Sequence, residues 1–416
     1  MSKLPVPKAY VTANVQKPKA RESQDPLFDL RDYLRFRDTY WHICKLGAGG
    51  DGTVNLWKHR RSGAFVAVKT PNQTKNPKPC PRLIKEAKNL ERLGKHPQII
   101  EMLTYSETFK PRGPAVFLEY APLGDLLSYQ GKLLMQQAKQ KKLQQMPEST
   151  ICKLLSDMGL ALGFVHGKGF MHTDFKPENI LVCPPDGWAD NDEIPVIPVF
   201  KLTDFSRMAT FPLPFDAPEY YCGTPEYAPP LSEQVSVRPS GDLWSLGCTI
   251  QTFALCMIPT QSKQAFIADR QKAGKTHPAL LDERAWNQLQ WRRILPTVYR
   301  PLNVTKLELV QDWDVPDSLG GRSHIPYSTY LNTWYTTLWN TDEKTRITAE
   351  ALVENYVPTI ASDIELAEAE QLAEASFKAA KMLREHATTR SSVLKRCDTR
   401  EDSLTQGLGD QIARTL

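Results

Sequence analysis

A chain of 416 residues with 41% apolar and 24% charged residues has the makeup of an ordinary folded protein, long enough for two or three lobes around substantial cores. Its net charge of +5 is small for that length and gives no ground for a nucleic-acid or membrane-surface partner. Eight cysteines, Cys44, Cys80, Cys152, Cys183, Cys222, Cys248, Cys256 and Cys397, lack CxxC pairs and His partners at ligand spacing. Neither a zinc site nor a disulfide framework is indicated, and a reducing compartment, cytoplasmic or nuclear, is expected.

Residues 1–39 are rich in Pro, Lys and Arg and read as a flexible extension with one short helix near Leu27–Phe36; Met1–Glu22 has no apolar core of a secretion signal. From residue 40 the pattern changes to short apolar runs, His42–Leu46, Thr53–Trp57 and Ala64–Val68, separated by Gly-containing turns, which predicts antiparallel strands. Arg82–Leu93 has helical spacing, with Leu83, Ala87, Leu90 and Leu93 on one face and His96-Pro97 as the stop. Strands around Ile99–Tyr105 and Ala115–Tyr120 complete a β-rich lobe over 40–122.

Residues 123–357 are mainly helical, with strong signals at Cys152–His166 and Gly241–Met257; the apolar stretch Leu246–Ile258 is too short to span a bilayer and contains Gln251. The Lys- and Gln-rich stretch 130–145 and the Pro- and acid-rich stretch 184–198 read as surface insertions, and 258–340, with Trp286, Trp291, Trp313 and Trp334, as extra helices or, alternatively, a docking surface for a substrate or regulator. Over 358–416 a helix is expected, with Leu366, Ala369, Ala373, Phe377 and Ala380 on a docking stripe, and then a loose tail.

Gly47, Gly49 and Gly52 form a G-x-G-x-x-G spacing between two strand-like runs, where glycine lets backbone amides approach an anion closely. The same spacing serves dinucleotide sites, but those need a following helix, and no Lys-Ser or Lys-Thr follows as in a Walker A loop. Lys69 ends an apolar strand, where a cation is costly to turn inward unless an anion or carboxylate receives it. Glu86 on the following helix is the favoured carboxylate over Glu91. Further on, Asp174, Lys176 and Asn179 stand in a D-x-K-x-x-N spacing inside a Pro-restricted turn, and Thr203-Asp204-Phe205 follows. An Asx turn would explain Asp174 or Asn179 singly, but not both in order with Lys176, Asp204 and Lys69.

Ala67-Val68-Lys69, His172-Thr173-Asp174-Phe175-Lys176-Pro177-Glu178-Asn179 and Asp204-Phe205 together resemble the eukaryotic protein kinases, in their serine/threonine branch. Cys222-Gly223-Thr224-Pro225-Glu226 and Asp242-Leu243-Trp244-Ser245-Leu246-Gly247 extend the resemblance, which covers about Trp41–Tyr356. It implies an α+β, two-lobed fold with a β-rich N-lobe and a mainly α-helical C-lobe. It also implies ATP and Mg²⁺ as cofactors and transfer of the γ-phosphate to Ser or Thr hydroxyls of protein substrates.

By the same resemblance, Lys69 contacts the α- and β-phosphates with Glu86 orienting it, and Gly47, Gly49 and Gly52 lie over the phosphates. Val54, Ala67 and Leu181 sandwich the adenine, Leu118 is the gatekeeper, and the backbones of Glu119 and Ala121 read the adenine edge. Asp125 faces the ribose hydroxyls, although it could equally cap a helix. Asp174 orients the acceptor hydroxyl and takes its proton late, Lys176 neutralises γ-phosphate charge, Asn179 and Asp204 hold Mg²⁺, and Thr224 bonds to Asp174 and Lys176. Asp242 is structural.

Four positions depart from the family. Thr173 replaces the arginine that would pair with an activation-loop phosphate, so the enzyme is expected to work without that phosphorylation. Ser206 replaces a glycine, with an effect of either sign on the metal-binding Asp204. Pro230 stands where a glutamate would pair with Arg346, so the activation segment needs another anchor. Asp51 puts a carboxylate at the tip of the Gly-rich loop, where it would repel phosphate if it pointed inward. The alternative reading is a nucleotide-binding pseudokinase acting as a scaffold.

Overall fold

In the computed structural model, which describes residues 33–50, 52–72, 81–109, 113–188, 193–214, 220–316, 324–371 and 373, the chain divides into two compact units. The first takes residues up to Leu83 together with Met102–Leu118. Its elements are α1 (Tyr33–Thr39), β1 (Tyr40–Ala48), β2 (Thr53–His59) and β3 (Phe65–Thr70), then, past the first turn of α2 (Pro81–Leu93), β4 (Met102–Phe109) and β5 (Gly113–Leu118). The strands form one antiparallel sheet in the order β1-β2-β3-β5-β4.

The alternating apolar side chains of β2 and β3 turn Trp57, Val66 and Val68 to one face, where they meet Phe109, Ala115 and Phe117 of β4 and β5. α1 closes this core. Phe36 is fully buried, stacked on Tyr40 at 4.6 Å and edge-on to Trp57 at 4.9 Å. That burial is worth roughly 1.5–3 kcal/mol. Among the described residues, α1 thus packs into this lobe although it precedes the boundary at 40 that composition suggested. The part of the expected Leu27–Phe36 helix before Tyr33 lies outside the described residues, as do Asp51, Cys80 and Cys397.

The second unit takes residues 84–101 and those from Glu119 onward. Its first elements are β6 (Gly124–Asp125), α3 (Leu126–Lys139), α4 (Glu148–Gly167), β7 (Phe170–Met171), β8 (Ile180–Cys183), β9 (Val199–Leu202) and β10 (Ala209–Thr210). Helices follow: α5 (Pro239–Leu255), α6 (Lys263–Lys272), α7 (Glu283–Trp286), α8 (Leu289–Ile294), α9 (Lys306–Asp312), α10 (Thr329–Thr337) and α11 (Ala349–Ala351). α5 is buried on every side from Gly241 to Leu255, as a helix apolar all round must be. Gln251 survives inside it because both ends of its amide are bonded: it donates to the Val298 carbonyl and accepts from the Arg300 amide and the Tyr335 hydroxyl.

Two sequence expectations need correction. The stretch 130–145 begins as the body of α3 rather than as a surface insertion: Leu126, Tyr129, Gln130, Leu133 and Leu134 recur at helical spacing on one buried face. The acidic stretch 184–198 likewise ends in the core, with Ile197 buried and the Tyr129 hydroxyl donating to the Pro195 carbonyl at 2.7 Å. The described residues of 258–340 include five helices, α6 to α10, with Trp286 buried against Phe266.

Residues 357–371 are helical too, but the stripe expected at Leu366, Ala369 and Ala373 faces out, Leu366 being 61% exposed; Phe377 and Ala380 lie outside the described residues. Ile360, Ile364, Ala367 and Gln371 form the covered side instead. Gln371 holds both backbone polar atoms of Ile197, and Lys153 reaches Glu368 at 3.7 Å. Among the described residues no two cysteines form a disulfide, and no helix is long and apolar enough to cross a membrane.

Candidate active site

The chain from His172 to Asn179 lies between β7 and β8 and is held from beneath by α5. Asp242 accepts from the amides of His172 (2.8 Å) and Thr173 (2.9 Å) and from His166 Nε2 (2.9 Å). Burial pushes the Asp242 carboxyl up, but His166, His172 and the His172 amide outweigh it and the net shift is downward. Thr173, held this way, takes a positive φ of 64° that a threonine adopts only under constraint.

Because the folded pKa of Asp242 lies below its ordinary 3.8, the unfolded chain takes up the proton first as pH falls. The stabilisation is complete above that value and is lost as pH drops through the folded one. Asp242→Asn should therefore cost on the order of 2 kcal/mol at pH 7, and progressively less towards pH 3. Thermal unfolding of both proteins across that range checks it, and a penalty independent of pH would refute it.

His172 donates from Nε2 to the Thr203 carbonyl and accepts the Asp174 amide at Nδ1, which sets its tautomer. Asn179 donates Nδ2 to the Asp174 carbonyl at 2.8 Å, leaving Oδ1 as the donor atom for a cation. Asp204 sits at φ 60° and ψ 69°, with its carboxylate capping the Ser206 amide. Ser206 itself is buried, and the Phe205 carbonyl is received by Asn89 at 2.7 Å. Asn179 and Asp204 offer oxygen donors only, two side chains rather than a closed cage. That set suits Mg²⁺, which keeps water and phosphate ligands. Among the described residues no cluster of three His, Cys, Asp or Glu could hold a metal by itself.

The Asp174 carboxylate is the focus. Its Oδ1 accepts both the amide and the hydroxyl of Thr224 at 2.8 Å, and that hydroxyl accepts in turn from Lys176 Nζ at 2.8 Å. Lys176 lies 3.6 Å from Oδ2. Gly223 makes this approach possible: a Cβ there would stand 2.4 Å from the Thr173 carbonyl oxygen and 2.3 Å from the Tyr221 hydroxyl.

Asp125 caps α3 through the Ser128 amide at 2.7 Å, and Leu181 lies opposite it across β6 and β8. The Glu119 amide donates to the Glu101 carbonyl, so a ligand at this strand end would find the Glu119 carbonyl, and its carboxylate is held by Lys201 at 2.6 Å. Ala121 is buried beside it. Glu86 is buried at 1% exposure, whereas Glu91 is exposed.

In the first unit, Lys69 is buried near the end of β3, paired with Val54 on β2, and Ala67 is paired with Leu118 on β5. A Cβ at Gly52 would stand 2.4 Å from the Thr70 carbonyl oxygen, so this glycine serves the β2–β3 approach; around Gly47 and Gly49 a Cβ would meet nothing within 4 Å.

Three anchoring residues escaped the sequence reading. Arg346 is indeed the buried arginine, but its partner is Glu233, three residues beyond Pro230, through bidentate bonds of 2.6 and 2.7 Å. The shifted position hid it. Arg207 reaches Asp174 Oδ2 with Nε at 3.5 Å, and no sequence signal marked it. Glu226, also not singled out, makes a bidentate pair with Arg292 of α8 at 2.6 and 2.8 Å.

A family model described as "Protein kinase domain" matches residues 40–357. Among curated proteins, the chain is 31% identical over 213 residues to "Serine/threonine-protein kinase ATG1a" of Arabidopsis thaliana, covering 50% of this chain and 30% of that one. It is 30% identical over 272 residues to "Probable serine/threonine-protein kinase iksA" of Dictyostelium discoideum, covering 58% and 26%. With "Serine/threonine-protein kinase Nek3" of Mus musculus it shares 29% over 225 residues, 53% of this chain and 38% of the relative. The match thus spans less than half the length of each of these three relatives.

Proposed function

Because the chain belongs to the protein kinase family, we propose that it is an active kinase that transfers the γ-phosphate of ATP to serine or threonine hydroxyls of protein substrates without phosphorylation of its own activation segment. The observation that carries this reading is the Asp174–Thr224–Lys176 cluster, with Asn179 tied to the same backbone. A carboxylate so held has one oxygen committed to Thr224 and presents the other to an incoming hydroxyl.

That placement supports the following residue roles. Asp174 orients the acceptor hydroxyl and receives its proton as the bond to phosphorus forms. Lys176 offsets negative charge on the transferred group, and the oxygens of Asn179 and Asp204 hold Mg²⁺. When bound, Mg²⁺ neutralises charge on the phosphates. Lys69 and Glu86 are assigned the family's phosphate-orienting roles. Gly47, Gly49 and Gly52 are assigned to the phosphate loop, and Val54, Ala67, Leu118, Glu119, Ala121, Asp125 and Leu181 to the nucleoside. The proposed compartment is cytoplasmic or nuclear, with protein substrates as partners and neither a nucleic acid nor a membrane among them.

The test is transfer of labelled γ-phosphate from Mg-ATP to mixed Ser/Thr and Tyr peptides, with Mg-ATP binding followed in parallel by thermal shift. Label on Ser and Thr alone is the expected result. Nucleotide binding without transfer to any acceptor would replace the enzyme by a nucleotide-binding scaffold.

A further inference from the structure

The geometry points to Arg207 as a built-in tie that positions the activation segment on the catalytic loop, in place of a phosphate. The inference rests on the kinase reading and names what makes phosphorylation dispensable. Three observations converge on it. Thr173 removes the cation with which the catalytic loop would receive a phosphorylated residue, and its hydroxyl donates instead to the Arg207 carbonyl at 2.9 Å. The Arg207 guanidinium then spans the two segments that must be joined: Nε lies 3.5 Å from Asp174 Oδ2, and Nη1 donates to the Cys222 carbonyl. A planar fork suits such a bridge, since it serves a carboxylate and a carbonyl at once.

The sequence between these points supplies the third observation. From Met208 to Gly223 the only hydroxyl other than those of tyrosine is Thr210, which lies in β10 paired with Phe170. Tyr221 is buried, with its amide donating to the Gln234 carbonyl. A Ser/Thr kinase acting on this segment has no acceptor near Cys222 except Thr224, whose hydroxyl is already engaged with Asp174 and Lys176. The cation therefore comes from the segment itself, two residues after Phe205, and it bonds to backbone.

Arg207 is a positioning residue, because it acts through Asp174 and Cys222. Its side chain is 31% exposed, so its contribution lies in geometry rather than in fold stability. Arg207→Gln should lower kcat up to about 100-fold with KM for ATP unchanged, as a small displacement of the acceptor-orienting group does. Arg207→Lys should recover part of that loss. Hydrogen exchange of the 220–224 amides should quicken in Arg207→Gln, with the melting temperature close to wild type. Phosphatase treatment of the wild-type protein should leave turnover intact.

Wild-type turnover and exchange in Arg207→Gln, or activity abolished by phosphatase, would overturn the inference. A wild-type protein without transfer activity would instead refute the kinase reading. The exchange comparison would still decide whether Arg207 holds the segment, unchanged protection counting against it.

Discussion

Asp174→Asn should reduce phosphate transfer by about 10²- to 10⁴-fold, the range expected when a positioned general base is removed. The substitution keeps the shape, so Thr224 and Asn179 retain neighbours of the right size. It removes the acceptor for the substrate proton, and the amide nitrogen would face either the Thr224 donors or the incoming hydroxyl. Mg-ATP binding should survive, because Asp174 is assigned to the acceptor side and Asn179 and Asp204 to the metal. Single-turnover transfer combined with a thermal shift by Mg-ATP checks both halves. Residual activity within about tenfold of wild type would move the base elsewhere.

Glu233→Gln should destabilise the folded protein by about 3–5 kcal/mol, the penalty for leaving one member of a buried ion pair uncompensated. The Arg346 side chain has no exposed surface and Glu233 only 7%. The guanidinium is further fixed by the Asn340 and Ser240 carbonyls and stacks 4.8 Å over Trp244. A neutral amide cannot balance that charge, and water cannot reach it. The double change Glu233→Leu with Arg346→Met should recover much of the loss, because it removes both desolvated charges together. Chemical unfolding of the three variants decides it. A loss below about 1 kcal/mol for the single change would show the pair to be no stronger than a surface one.

The elements with unbroken periodicity were legible in advance. α2 was expected over Arg82–Leu93 and runs Pro81–Leu93, and the strands at 53–59 and 65–70 follow apolar runs bounded by Gly and Pro. α3 was misjudged because Lys and Gln dominate its composition, while the buried face depends on a few positions spaced three and four apart. The described part of the C-terminal stripe faces away from the body for a related reason. Alanine is neutral enough to sit on either side, and the side was settled by what Gln371 and Glu368 could reach.

By itself, the order of residues determined the family and its α+β two-lobed fold, and it singled out Lys69, Asp174, Lys176, Asn179 and Asp204 as the candidate set. Those depend on local spacing, and spacing is preserved along a chain. Only the tertiary structure decided which charges meet. Glu233 replaces the residue at 230 as the partner of Arg346, and Arg207 reaches Asp174 although 33 positions separate them in sequence. An ion pair needs its two charges within about 4 Å. That proximity arises from the packing of distant segments and leaves no periodic trace in the sequence.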